Sequence, residues 1–217
     1  MKTLGYIAIE GVIGAGKTSL AKILAKRLDG HLVLEKHEEN PFLADFYKDP
    51  VRFAFQTQMF FLLSRYRQQL DLQQRDLFHR VVVSDYIFQK DRIFASLTLD
   101  SREFTLYEKV ANLLEREIVA PDLVIYLQAN TKSLMRNIRK RGRPYEKNIS
   151  EDYIRALVEA YNHFFFHYTE TPLLVVNMEG LDFVHNPEQL ENLIQQIMLP
   201  LGGMKYYNPL VEQGVKK

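Results

Sequence analysis

The chain has 217 residues, of which 47% are apolar and 25% charged, with 28 Lys+Arg against 27 Asp+Glu. That length and apolar content suit a single domain spanning residues 1–217 and exclude a disordered chain, which buries too little surface to offset its ordering entropy. A net charge of +1 gives no global field for polymeric nucleic acid, zero cysteines exclude thiolate chemistry and disulfides, and no apolar run approaches the roughly 20 residues that span a bilayer.

In chain order, Leu4 to Ile9 form an apolar run ending at Gly11, as a buried parallel strand does. The run is cut by Glu10 and Gly11, which argues against a signal peptide, so a cytoplasmic protein without membrane association is expected. From Lys17, the residues Leu20, Ile23, Leu24 and Leu28 recur at helical spacing, with Gly30 as a stop. Leu32 to Leu34 read as a second strand delivering Glu35, and Phe53 to Phe78 as a long helix. Val81 to Val83 make a third strand ending at Ser84 and Asp85. Asp100 with Glu103 forms a capping-box pattern that opens a helix through Ile118. Leu123 to Leu127 are a fourth strand, Thr131 to Lys140 a helix, and Ser150 caps another to about Tyr168. Leu173 to Val176 are a fifth strand, Pro187 to Met198 a last helix, and the tail after Gly202 is expected to be loosely held. Strands alternating with helices predict an α/β domain built on a five-stranded parallel sheet, with ligands beyond the carboxyl ends of its strands.

Chemistry concentrates first at Gly11-Val12-Ile13-Gly14-Ala15-Gly16-Lys17-Thr18, followed by Ser19. This fits G-x-x-x-x-G-K-[ST] in full, between a strand and a helix. Glycines let backbone N–H groups turn inward around phosphate oxygens, Lys17 reaches the outer phosphates and Thr18 ligates Mg²⁺. The pattern predicts a site for a nucleoside triphosphate. Arg136, Arg139, Lys140, Arg141 and Arg143 then place five cations within eight residues, with no acid among them. A solvated basic face is the plain reading; beside a phosphate loop, a lid closing arginines over transferring phosphates fits better. Glu35, at a strand end near the phosphates, is placed to accept a proton from an attacking hydroxyl. His37 reads as a surface histidine, and His163 with His167 lack a carboxylate partner for a metal. In the aromatic stretch from Phe42 to Phe61, Gln56 and Gln58 point to different sides of a helix, so at most one faces a common site.

Assembled, these motifs resemble the deoxynucleoside kinase family, in particular its bacterial deoxyadenosine/deoxyguanosine kinase type. The resemblance runs from Ile7 to about Phe183. It is carried by the phosphate loop, Glu35, the stretch from Tyr47 to Gln58, Ser64-Arg65-Tyr66, and Arg141-Gly142-Arg143-Pro144-Tyr145-Glu146. It implies a P-loop kinase fold with an arginine-rich lid, ATP and Mg²⁺ as cofactors, and a homodimer. It also implies that Glu35 takes the 5′-hydroxyl proton, Tyr47 and Glu146 share the sugar 3′-hydroxyl, and Gln58 pairs with the base. Arg65 lies near the base edge, Arg141 and Arg143 lie on the donor phosphates, and residues 181–183 lie near the donor adenine. Two departures stand out. The arginine usual after the third strand is absent from Ser84-Asp85-Tyr86, leaving Arg92 or a lid arginine to replace it and Asp85 to hold Mg²⁺ through water. The lid position four residues before Arg141 is Asn137, with Arg136 or Arg139 as substitutes.

The expected reaction is transfer of phosphate from ATP to the 5′-hydroxyl of a deoxyribonucleoside, deoxyadenosine or deoxyguanosine, for DNA precursor salvage. A thymidylate-kinase-like monophosphate kinase is the alternative, although such an enzyme favours an arginine where Glu35 stands. A regulator that only binds nucleotide has no need of Glu35 together with the lid.

Overall fold

The computed structural model describes residues 4–75 and 81–209, with the backbone alone for 73–75. Its elements are β1 (Tyr6–Gly11), α1 (Lys17–Arg27), β2 (His31–Val33), α2 (Leu43–Phe46), α3 (Pro50–Arg75), β3 (Val82–Ser84), α4 (Lys90–Thr98) and α5 (Ser101–Glu115). They continue with β4 (Leu123–Gln128), α6 (Thr131–Arg141), α7 (Glu151–Phe166), β5 (Leu173–Asn177), α8 (Pro187–Met198) and β6 (Met204–Tyr207). The expected continuation of α3 to Phe78 falls outside the described residues at 76–78.

All strand pairs are parallel, in the order β2-β3-β1-β4-β5-β6. The sheet therefore has six strands rather than five: in the tail expected to be loosely held, Met204–Tyr207 form its edge strand, and residues 210–217 lie outside the described residues. Met204 to Tyr207 alternate between exposed and half-buried, so the strand lacks the continuous apolar run that marks a parallel strand covered on both faces. A second element absent from the sequence reading is α4, which fills the interval between β3 and Asp100.

The central strand β1 is buried at all six residues, and Ile7 and Ile9 are inaccessible to solvent. Truncating either to alanine is expected to cost about 2–5 kcal/mol. On one face Tyr126 stacks on Phe165 with ring centroids 4.3 Å apart, which joins β4 to α7. Leu62, Phe88, Ala95, Tyr107 and Ala111 form a second cluster that packs α3 against α4 and α5.

Helix ends set where the functional loops emerge. The Asp100 side chain accepts from the Arg102 and Glu103 amides, and Glu103 returns to the Asp100 amide, closing a full capping box on α5. Asn130 caps α6, which stops at Gly142 with φ 68° and turns the chain into the 143–149 segment. Ser150 then caps α7. By contrast, α1 begins at Gly16 with φ 100° and no side-chain cap. With no side chain closing it, the positive end of the helix dipole faces the loop and favours an anion. Because β3 and β4 flank β1 on opposite sides, that helix start lies where the strand order reverses, the usual binding crevice of open α/β sheets.

Candidate active site

A cleft beyond the carboxyl ends of β1, β2 and β3 runs from the phosphate loop to α3 and the 143–149 segment. At one end Gly14, with φ 87°, is held so close to α6 that a Cβ would lie 2.9 Å from the Leu134 carbonyl oxygen. A side chain there would force the loop off the helix. Lys17 Nζ donates to the carbonyls of Gly11 at 2.6 Å and Val12 at 3.2 Å. Burial and the like charge of Lys90 lower its ammonium to about 8. Val12 and Ala15 are buried in the loop's wall, Ile13 lines the cleft, and Ser19 is exposed. Phe183 packs near enough that a Cβ on Gly16 would meet its ring at 3.4 Å.

Thr18 Oγ1 donates to Asp85 Oδ2 at 2.6 Å, and Asp85 Oδ1 accepts the Glu35 amide at 2.8 Å. Asp85 thus ties the start of α1 to the residues after β2. A hydroxyl and a carboxylate oxygen side by side at the phosphate loop match the hard oxygen donors that Mg²⁺ takes, with phosphate and water completing its shell.

Glu35 occupies the middle of the cleft. Its Oε1 accepts from Arg65 Nε at 2.9 Å and its Oε2 from Lys90 Nζ at 2.8 Å. Burial alone would raise this carboxyl, but Lys90 and Arg65 outweigh it and hold Glu35 well below the usual carboxylate range. Arg65 also donates through Nη1 to Asp91 on α4.

Farther along, Gln58 and Arg65 lie seven residues apart on α3, two helical turns on one side. Gln58 is buried and its Nε2 donates to Thr98 Oγ1 at 3.2 Å, whereas Gln56 does not line the cleft. Tyr47 lies parallel to Tyr145, with centroids 6.3 Å apart and planes inclined by 7°. Burial and the nearby Tyr153 and Glu146 keep its hydroxyl protonated. Glu146 is buried and accepts from Arg141 Nε at 3.1 Å, with Arg143 Nη1 at 3.6 Å. Three buried polar atoms around this end, Thr57 Oγ1, Tyr145 OH and Tyr153 OH, have no hydrogen-bond partner among the described residues, and His37 Nε2 lies 3.7 Å from Glu38 Oε1. The three hydroxyls are donors and acceptors left for a polar ligand.

Several expected residues lie elsewhere. Arg92 is engaged by Glu108, Glu115 and Asn112 away from the cleft, so it does not replace the missing arginine. Arg139 and Arg136 are exposed on α6 and do not line the cleft, while Asn137 Nδ2 donates to the Gly14 carbonyl at 2.9 Å. His37 is not a plain surface residue; it lines the cleft beside Tyr145 with its Nδ1 at the Glu35 carbonyl. His163 and His167 are adjacent but exposed. The sequence reading missed Lys90 and Asp91. Their only signal is a charged pair opening an apolar helical pattern of Ile93, Phe94 and Leu97, just past a strand end.

This is the site of a P-loop phosphotransferase, with cations at the phosphate loop and a carboxylate facing a polar, aromatic pocket. Residues 7–199 match the deoxynucleoside kinase family, and the chain belongs to that family. A deoxyguanosine kinase from Bacillus subtilis is 36% identical over 202 residues, covering 91% of this chain and 98% of that protein. A deoxyadenosine kinase from Dictyostelium discoideum is 35% identical, covering 94% and 83%. Among solved structures, deoxyadenosine kinase from M. mycoides with bound dATP superposes with a TM-score of 0.78 at 29% identity, over 88% of this chain and 98% of that one.

Proposed function

We propose that the chain transfers the γ-phosphoryl group of ATP to the 5′-hydroxyl of a purine deoxyribonucleoside, the class named for its deoxyguanosine and deoxyadenosine kinase relatives. The observation that carries this reading is Glu35, an ionised carboxylate set between the phosphate loop and the pocket of Gln58 and Tyr47. A carboxylate there welcomes a hydroxyl and repels an acceptor phosphate, which disfavours a monophosphate kinase.

In this reading Gln58 meets the base edge, Tyr47 and Glu146 hold the 3′-hydroxyl, and Glu35 accepts a hydrogen bond from the 5′-hydroxyl. The 5′ oxygen bonds to the γ-phosphorus as the bridging oxygen leaves with ADP, and the proton passes to Glu35. Two cations make Glu35 a weak base, so it orients the hydroxyl first and takes the proton late, which suits a loose transition state. Lys17, Arg141 and Arg143 meet the charge spreading over the phosphoryl oxygens. Thr18 and Asp85 would hold Mg²⁺, which when bound neutralises phosphate charge. Exposed Leu63, Leu97, Leu106 and Leu113 on α3, α4 and α5 support pairing with a second copy of the chain. No helix among the described residues is long and apolar enough to cross a membrane.

Radiolabelled ATP offered with deoxynucleosides and, separately, their monophosphates tests the reaction. Label is expected on deoxyguanosine or deoxyadenosine. Label on monophosphates alone, or no transfer, overturns the reading. Light scattering at twice the chain mass is the matching expectation for the dimer, and a monomer refutes it.

A further inference from the structure

We propose that Lys90, in a chain without the arginine expected after β3, is the positioning residue for Glu35; this rests on the phosphoryl-transfer reading of the same cleft. At the expected position stands Tyr86, whose side chain is fully buried and whose hydroxyl donates to Gln68 Oε1 at 3.0 Å. It brings no charge to the cleft. Arg92, the nearest alternative, is held by partners elsewhere. Lys90, between them in the chain, is only 4% exposed and lines the cleft.

Its placement is costly on general grounds. A buried ammonium loses hydration, and Lys90 opens α4, where the helix dipole disfavours a cation. Folding alone does not select such a position. Two contacts offset the cost and aim the group: Glu35 Oε2 at 2.8 Å, and the Phe94 ring one turn along, whose centroid is 5.7 Å from Nζ. Arg65 restrains only the other carboxylate oxygen. With Oε1 held from α3 and Oε2 from α4, the carboxylate has no rotational freedom. Oε1 is filled by Nε and Nη2 of Arg65, whereas Oε2 takes a single donor from Lys90 and keeps a lone pair to accept a substrate hydroxyl. Removing Lys90 leaves Glu35 pivoting about its contact with Arg65, and a small misplacement of a reacting group costs rate far more than affinity.

The test uses the full chain. Lys90→Met is expected to lower kcat at least about tenfold while the calorimetric Kd for the deoxynucleoside stays within about threefold. Lys90→Arg, which restores a cation, is expected to recover kcat to within about threefold of wild type. Because Lys90 acts through Glu35, the Glu35→Gln/Lys90→Met double variant should be no slower than Glu35→Gln alone. Thermal melts check folding, and Lys90→Gln replaces Lys90→Met if the latter does not fold. Unchanged kcat in the uncharged variant, failure of Lys90→Arg to rescue, or losses that multiply in the double variant overturn the assignment. If wild type phosphorylates no deoxynucleoside, the functional reading falls and the assignment falls with it. If wild type is active and the Lys90 variants match it, only the assignment falls.

Discussion

Arg65 donates to Glu35 through Nε at 2.9 Å and reaches Asp91 through Nη1, so one guanidinium on α3 holds a carboxylate from the loop after β2 and another from α4. The central charge of the cleft is therefore fixed by three separate segments. Glu35→Gln keeps the shape but removes the charge that both cations hold. Its kcat is expected to fall at least about tenfold, on the scale of lost acid–base assistance, with deoxynucleoside affinity nearly kept. Turnover equal to wild type would remove Glu35 from the reaction.

Asp91 carries the pH prediction. Burial pushes its carboxyl up from 3.8 to about 6 despite Arg65 beside it, and its Oδ2 is buried without a partner among the described residues. The folded chain then binds a proton between about pH 4 and 6 that the unfolded chain has released. Stability from this group is present below that window and is lost as pH rises through it. Asp91→Asn has no such slope. Urea unfolding at intervals from pH 4 to 7 should show the wild type losing stability relative to the variant up to about pH 6, then running parallel to it. A constant difference across the range contradicts the burial argument.

Arg92 is the contrasting cation. It braces α4 to α5 through Glu108, Glu115 and Asn112, partly exposed and away from the cleft. Arg92→Ala should leave kcat within about twofold, the surface brace being worth no more than about 1 kcal/mol of stability. A loss of turnover matching that of Lys90→Met would return the role to Arg92.

Sugar recognition is tested at Tyr47. Its buried hydroxyl and the buried Glu146 carboxylate share one end of the cleft. If both read the 3′-hydroxyl, a 2′,3′-dideoxynucleoside should be roughly 10–100-fold poorer in kcat/KM than the 2′-deoxynucleoside, because buried polar partners are left unpaired. Tyr47→Phe should shrink that ratio, and Gln58→Ala should weaken binding without changing it. An unaltered ratio in Tyr47→Phe leaves the tyrosine as packing under Tyr145.

The phosphate end was legible because it is local. A glycine pattern between an apolar run and a helical one fixes loop, dipole and lysine within eight residues, Gly11 to Thr18. Capping residues Asp100 and Ser150 marked their helices for the same reason. What stayed hidden depends on distant partners. Lys90 acquires meaning only when α4 lies against the loop after β2, a separation of 55 positions in the chain. β6 is a strand only because β5 offers it an edge, and half its side chains stay in water. The site of the missing arginine could be read as a gap, but not what fills it, because the replacement comes from the next helix rather than the same turn.

The bond from Arg141 to Glu146 has a thermodynamic consequence. On the proposed reading, the same carboxylate is claimed by the lid and by the sugar hydroxyl, and the same guanidinium by that carboxylate and by the donor phosphates. A nucleoside hydroxyl that occupies Glu146 loosens its hold on Arg141, and phosphates that draw Arg141 away leave Glu146 free to receive a hydroxyl. On that reading the two substrates are expected to assist each other's binding, by a factor that linkage makes identical in both directions. The 5-residue span between Arg141 and Glu146 would then make the lid a ledger of joint occupancy, favouring the loaded pair over either substrate alone.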